Sequence, residues 1–150
     1  MPYIHLLRML RAARSVWAHI HSSGRVRLGI TAEAVADIGL LPGKKSGFVD
    51  LAAEGSVMLP ARPFAMVEGG QSMLQLESPL AGMIVAQNTA IVDDPSGLHA
   101  NSECVNSSWL VELDVGDGDE IAEAFDALEE DGFVERPAAT RQQPPRPPTS

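Results

Sequence analysis

Val67-Glu68-Gly69-Gly70-Gln71-Ser72 links two β-prone runs, Pro63 to Val67 and Leu74 to Ser78, and reads as the tip of a hairpin. Outward from it, Phe48 to Leu51 and Ser56 to Leu59 precede the hairpin, and Gly82 to Gln87 and Trp109 to Leu113 follow it. Gly, Pro, Asn and Asp separate these runs, which marks turns between short strands. Nearer the start, Val16 to His21 and Arg25 to Leu28 flank Ser22-Ser23-Gly24 as a second hairpin. The pattern predicts an all-β fold, a flattened barrel or sandwich of two sheets. Peripheral helices are also signalled. Thr31 is a good N-cap, Ala32 to Ile38 are helix formers, and Gly39 ends the run. Ile121, Ala124, Phe125 and Leu128 recur at helical spacing within Asp119 to Glu130, so one face of that helix should pack on the sheets.

A chain of 150 residues fits a single domain with a core of its own. Its formal net charge of −9 argues against a nucleic-acid binder, which needs clustered Lys and Arg to neutralise phosphates, and suits a protein that docks to other proteins. Charge is uneven: no Asp or Glu precedes Glu33, while Asp114 to Glu135 is dense in both. Cys104 is the sole cysteine, so an internal disulfide is impossible and the thiol is expected to be buried and inert. No run approaches the roughly 20 apolar residues of a membrane span, so a soluble protein is expected, with a cytoplasmic or alternatively a mitochondrial location.

The ends read differently from the middle. Residues 2 to 15 place Arg8, Arg11 and Arg14 along one side of an amphipathic helix with leucines opposite. An appended extension over residues 1–15 follows, as a docking helix or disordered leader; the acid-free, Arg-rich character keeps open a mitochondrial presequence or a membrane-surface helix. Residues 132–150 are read as a Pro-rich disordered tail, in which Pro144-Pro145-Arg146-Pro147 is a linker or a polyproline ligand.

Metal chemistry finds little support. His19 and His21 share one strand face, but with His99 and Cys104 they offer no ligand pair at structural-zinc spacing. Asp93-Asp94-Pro95-Ser96-Gly97 is turn chemistry and lacks the alternating oxygens and closing Glu of a calcium loop. No nucleophile elbow or phosphate loop occurs, so no catalytic constellation is expected.

The hairpin, with Leu76, Pro79 and Gly82, resembles the lipoyl-attachment hairpin of the glycine cleavage system H protein family. Trp17, Gly24 to Thr31, Phe48 to Leu51, Gly55, Pro79 to Gly82, Asn88, Asp94-Pro95, Asn101 and Trp109-Leu110 extend that resemblance in order, over roughly Val16 to Leu113. Gly55 lies sixteen residues before Gln71 and Gly82 eleven after it, similar to the glycine pair around the modified residue in lipoyl and biotinyl domains. The resemblance implies a barrel-sandwich hybrid over residues 16–131, with Gly55 and Gly82 as structural glycines at tight turns or close strand approaches.

It also implies a lysine at position 71, acylated by lipoic acid so that the arm ferries an aminomethyl group between enzymes. Here the position is Gln71. Acylation needs an amine with a free lone pair, and the amide nitrogen of glutamine has its lone pair delocalised into the carbonyl. Glu68 stands where the resemblance places an acid that helps the lipoylating enzyme identify its hairpin; the alternative is a solvated strand-end acid. Gly69-Gly70 replaces a bulkier pair and is expected to loosen the tip. Leu41 to Ser46 lengthens the preceding loop and holds the only lysines, Lys44 and Lys45. No bound cofactor is expected. Three functions stay open: a non-lipoylated docking or regulatory module for enzymes of glycine cleavage or lipoate metabolism, a carrier modified at Lys44 or Lys45, or a lipoyl-like fold recruited to an unrelated protein or small ligand.

Overall fold

A computed structural model describes residues 8–11, 15–21, 23–40, 47–98, 102–116, 119–130 and 133–137. The Lys44-Lys45 loop, His99 and the residues after Pro137 lie outside them. Among the described residues ten strands run in chain order: β1 Arg8–Arg11, β2 Val16–Ile20, β3 Arg25–Ile30, β4 Phe48–Leu51, β5 Val57–Met58, β6 Pro63–Glu68, β7 Met73–Glu77, β8 Gly82–Gln87, β9 Val111–Asp114 and β10 Val134–Pro137. Helices α1 Ala32–Ile38, α2 Thr89–Asp93 and α3 Asp119–Glu130 join them. Every pairing is antiparallel. Seven strands form one sheet in the order β10-β1-β2-β3-β9-β8-β5, and β4-β6-β7 form the second.

Period-2 alternation decides what lies between the sheets. Val16, Ala18 and Ile20 of β2, Val26, Leu28 and Ile30 of β3, and Val111 and Leu113 of β9 join the main core. Val49, Val67, Ala65 and Leu76 face them from the smaller sheet. Phe64 is buried as well, beside a register shift between Pro63 and Ala65 that lets two consecutive side chains point inward. On α3, Ala124 and Leu128 are buried and the acids are exposed.

Helix α1 starts where Thr31 Oγ1 accepts from the Ala34 amide at 3.3 Å. It stops at Gly39, whose φ of 76° lets its amide reach Ala36 O at 3.2 Å while Leu40 N reaches Val35 O at 3.4 Å. That is a Schellman turn, and the aliphatic pair that accompanies it, Val35 and Leu40, is buried.

The ends correct two expectations. Instead of a helix, residues 8–11 form β1, paired with β2 in the register Arg8↔Ile20 to Arg11↔Trp17. Within the segment read as a tail, residues 134–137 form β10 and pair with β1. A helix of 2–15 would be short enough to be marginal alone, whereas the edge of β2 offers a ready ladder of amides and carbonyls. Pro137 is tolerated because β10 is an edge strand. Phe133, 7% exposed, packs into the main core just beyond α3.

Candidate functional site

The tip joining β6 to β7 is fastened to the end of α1. Gly70 N donates to Gly39 O at 2.9 Å, Gln71 N to Ile38 O at 2.9 Å and Ser72 N to Ile38 O at 3.3 Å, while Gly69 N closes the turn on Ser72 O at 2.9 Å. Carbonyls at a helix C-terminus lack partners within the helix, and the tip amides supply them. Such proximity requires glycine. A Cβ on Gly69 would overlap the Ile38 carbonyl and approach Leu40 N at 2.9 Å, and one on Gly70 would lie 3.1 Å from Gly39 O. The loose tip expected from Gly69-Gly70 is therefore corrected: the two glycines serve close approach, and the tip is clamped.

Gln71 is exposed at this clamp. Its side-chain carbons lie over Gly39, where an added Cβ would come within 2.7 Å of Cγ. Glu68 is exposed one residue before the turn and sits between Phe48 and Met73 in a cross-strand row. Because Val49, Val67 and Leu74 of the next row face inward, this row faces outward. Phe48 is 53% and Met73 58% exposed, and Met66, two residues along β6, is half-buried on the same face. Among the described residues, the surface beside Gln71 thus sets exposed Phe48 and Met73 around the Glu68 carboxylate, with exposed Asp50 and Gln75 flanking Met66 in the next outward row. Alternation in β4 and β7 carried the signal for Phe48 and Met73, which the sequence reading did not single out.

Gly55 has φ of 90° with open space around it, and Gly82 has Asp114 O 2.7 Å and Leu113 Cγ 2.9 Å from where a Cβ would stand. The first position needs glycine for its backbone, the second for proximity to β9.

His19 and His21 do share a strand side, and among the described residues no group of three or more potential ligands could hold a metal. His19 is 6% exposed, and its Nε2 has no hydrogen-bond partner. Burial, then the Arg27 guanidinium and then His21, lower its pKa from 6.5 to about 4. Between those values the unfolded chain binds more protons than the folded one, so stability falls as pH drops from 6.5 to about 4 and is unaffected by this group above that window. Denaturant midpoints across the window should show this slope in the unaltered protein and a shallower one in His19→Gln; equal slopes would remove His19 from the account. Cys104 is 1% exposed, a buried thiol. At Asp94, Oδ1 accepts from the Ser96 amide at 3.3 Å, an Asx turn, and from Ser96 Oγ at 2.6 Å.

The family model described as glycine cleavage H-protein matches residues 8–136 of the chain. The glycine cleavage system H protein of Cyanothece sp. is 30% identical over 108 residues, covering 72% of this chain and 78% of that protein. The H protein of Xanthomonas oryzae pv. oryzae is 28% identical over 119 residues, covering 79% and 83%. Among solved structures, the crystal structure of a glycine cleavage system H protein from Mycobacterium marinum superposes with a TM-score of 0.61 at 27% identity, covering 79% of this chain and 96% of that one.

Proposed function

The chain belongs to the glycine cleavage H-protein family, and we propose that it acts there as a docking or regulatory module without an acyl arm at residue 71. The family carries a lipoyl group rather than catalysing a reaction of its own. One observation carries the reading: the exposed hairpin-tip residue is Gln71, an amide that cannot be acylated by a lipoyl-transfer enzyme. Glu68 keeps the place of a recognition acid, and Gly55 and Gly82 support the hairpin from either side. Residues 16–131 form the domain that presents it, extended by the strands at 8–11 and 134–137.

What would dock is the outward face beside the tip. Phe48 and Met73 supply apolar area, Met66 adapts to an uneven partner, and Glu68 selects a basic group. The partners are enzymes of glycine cleavage or of lipoate metabolism, met in the cytoplasm. Among the described residues no helix is long and apolar enough to cross a membrane.

Binding of purified glycine-cleavage enzymes and lipoate ligase to the immobilised chain tests this. One of them should bind, and Phe48→Ser with Met73→Ser should weaken that binding about tenfold or more, by loss of two exposed apolar anchors that the fold does not need. Unchanged affinity in the double variant, or no binding by any of them, would overturn the docking reading.

A further inference from the structure

The outer side of the seven-stranded sheet carries charge in two cross-strand rows. His19, Arg27 and Glu112 lie opposite one another on β2, β3 and β9, and Arg25 is paired with Asp114 in the row beyond. Residues 102–109 cover only one end of this side. There Trp17 Nε1 donates to Ser102 O at 2.9 Å, and Val105 packs on the Trp17 indole. The cover also fixes Arg27: its Nη1 donates to Val105 O at 2.9 Å and its guanidinium lies 4.8 Å over the Trp109 ring. The uncovered end is a groove of about 620 Å³, walled by His19, His21, Arg25, Arg27, Asn106 and Glu112.

The groove's cations are not saturated by its anion. Glu112 stands 3.9 Å from Arg25 and 4.0 Å from Arg27, beyond hydrogen-bond length. Asp114 approaches Arg25 at 3.9 Å from outside the groove, and with 45% of Arg25 and 41% of Asp114 exposed, water screens the pair. The groove's own walls thus carry two guanidiniums and one carboxylate, with Asp114 pairing Arg25 from outside, in a chain whose formal net charge is −9. The unpartnered His19 sits beside a fixed cation, an arrangement that a nearby anion would ease.

We propose that this groove binds a small monocarboxylate, held by Arg25 and Arg27. Guanidiniums present forked donors that match a carboxylate. Glu112 sets the charge: it leaves room for one negative charge and repels a second. The site is separate from the hairpin tip and does not depend on what happens at residue 71.

His19 reports occupancy. A carboxylate in the groove offsets the field of Arg27, so the histidine holds its proton to higher pH. At neutral pH, where propionate is ionised, the imidazole signals of His19 followed by NMR should move saturably with sodium propionate and should not move with sodium chloride at equal ionic strength. Inorganic phosphate, a mixture of mono- and dianion at neutral pH, should bind more weakly. Arg25→Gln, at a side chain 45% exposed, should keep the thermal midpoint and weaken propionate about tenfold. A response to propionate no larger than to chloride, affinity unchanged in Arg25→Gln, or tighter binding of phosphate would each overturn the assignment.

Discussion

Replacing Gly69 with alanine is expected to lower the free energy of unfolding by about 2–4 kcal/mol, through overpacking and the loss of two or three backbone hydrogen bonds. The new Cβ would meet backbone, the Ile38 carbonyl and the Leu40 amide, and no side chain can swing away to make room. Either the hairpin tip lifts off α1, stranding the carbonyls of Ile38 and Gly39, or the Schellman turn at Gly39 is rebuilt. Neighbouring glycines give the scale. Gly82→Ala meets Asp114 O at 2.7 Å and should cost about 1–3 kcal/mol. Gly55→Ala has space but keeps φ near 90°, so about 1–2 kcal/mol of strain is expected. Gly70→Ala, with its nearest neighbour at 3.1 Å, should be the mildest. Chemical denaturation of the four variants reads these values, and a Gly69→Ala midpoint equal to that of the unaltered protein would show that the tip is not clamped.

This ordering depends on tertiary proximity, which explains why the sequence showed one part of the site and hid another. Two glycines in a row are compatible with a loose loop or with a close backbone approach, and local composition does not choose between them. The choice is made by the end of α1, 31 residues before the glycines along the chain (69 − 38 and 70 − 39). Helices α1 and α3 were legible to the residue, because Thr31, Gly39 and the spacing of Ile121, Ala124, Phe125 and Leu128 are local signals. Most central strands were legible from their turn residues. By contrast β1 and β10 pair across nearly the whole chain, and neither stands out without its partner. The short helix α2 escaped because Thr89 to Asp93 is too brief to show a period. The groove at His19 was hidden likewise: Arg27 looks like any exposed strand cation until Val105 and Trp109 fold over it.

The proposed function turns on covalent chemistry at one residue, where the expected effect is all or none. Given an active lipoate ligase, lipoate and ATP, a lysine-bearing H protein in the same reaction should be acylated in full while this chain keeps its unmodified mass. The reason is electronic: the Gln71 amide nitrogen offers no lone pair to an activated lipoyl group. Gln71→Lys restores an amine on a backbone that the Ile38 and Gly39 carbonyls already hold, with Glu68 three residues before it. That variant should gain one lipoyl group. Lys44 and Lys45 are the amines that put the account at risk, since both are present in the unaltered chain. The deciding measurement is therefore intact mass of the unaltered protein after exhaustive reaction: an unchanged mass is predicted, and a lipoyl adduct mapped to Lys44 or Lys45 would contradict the account and return the protein to the carriers.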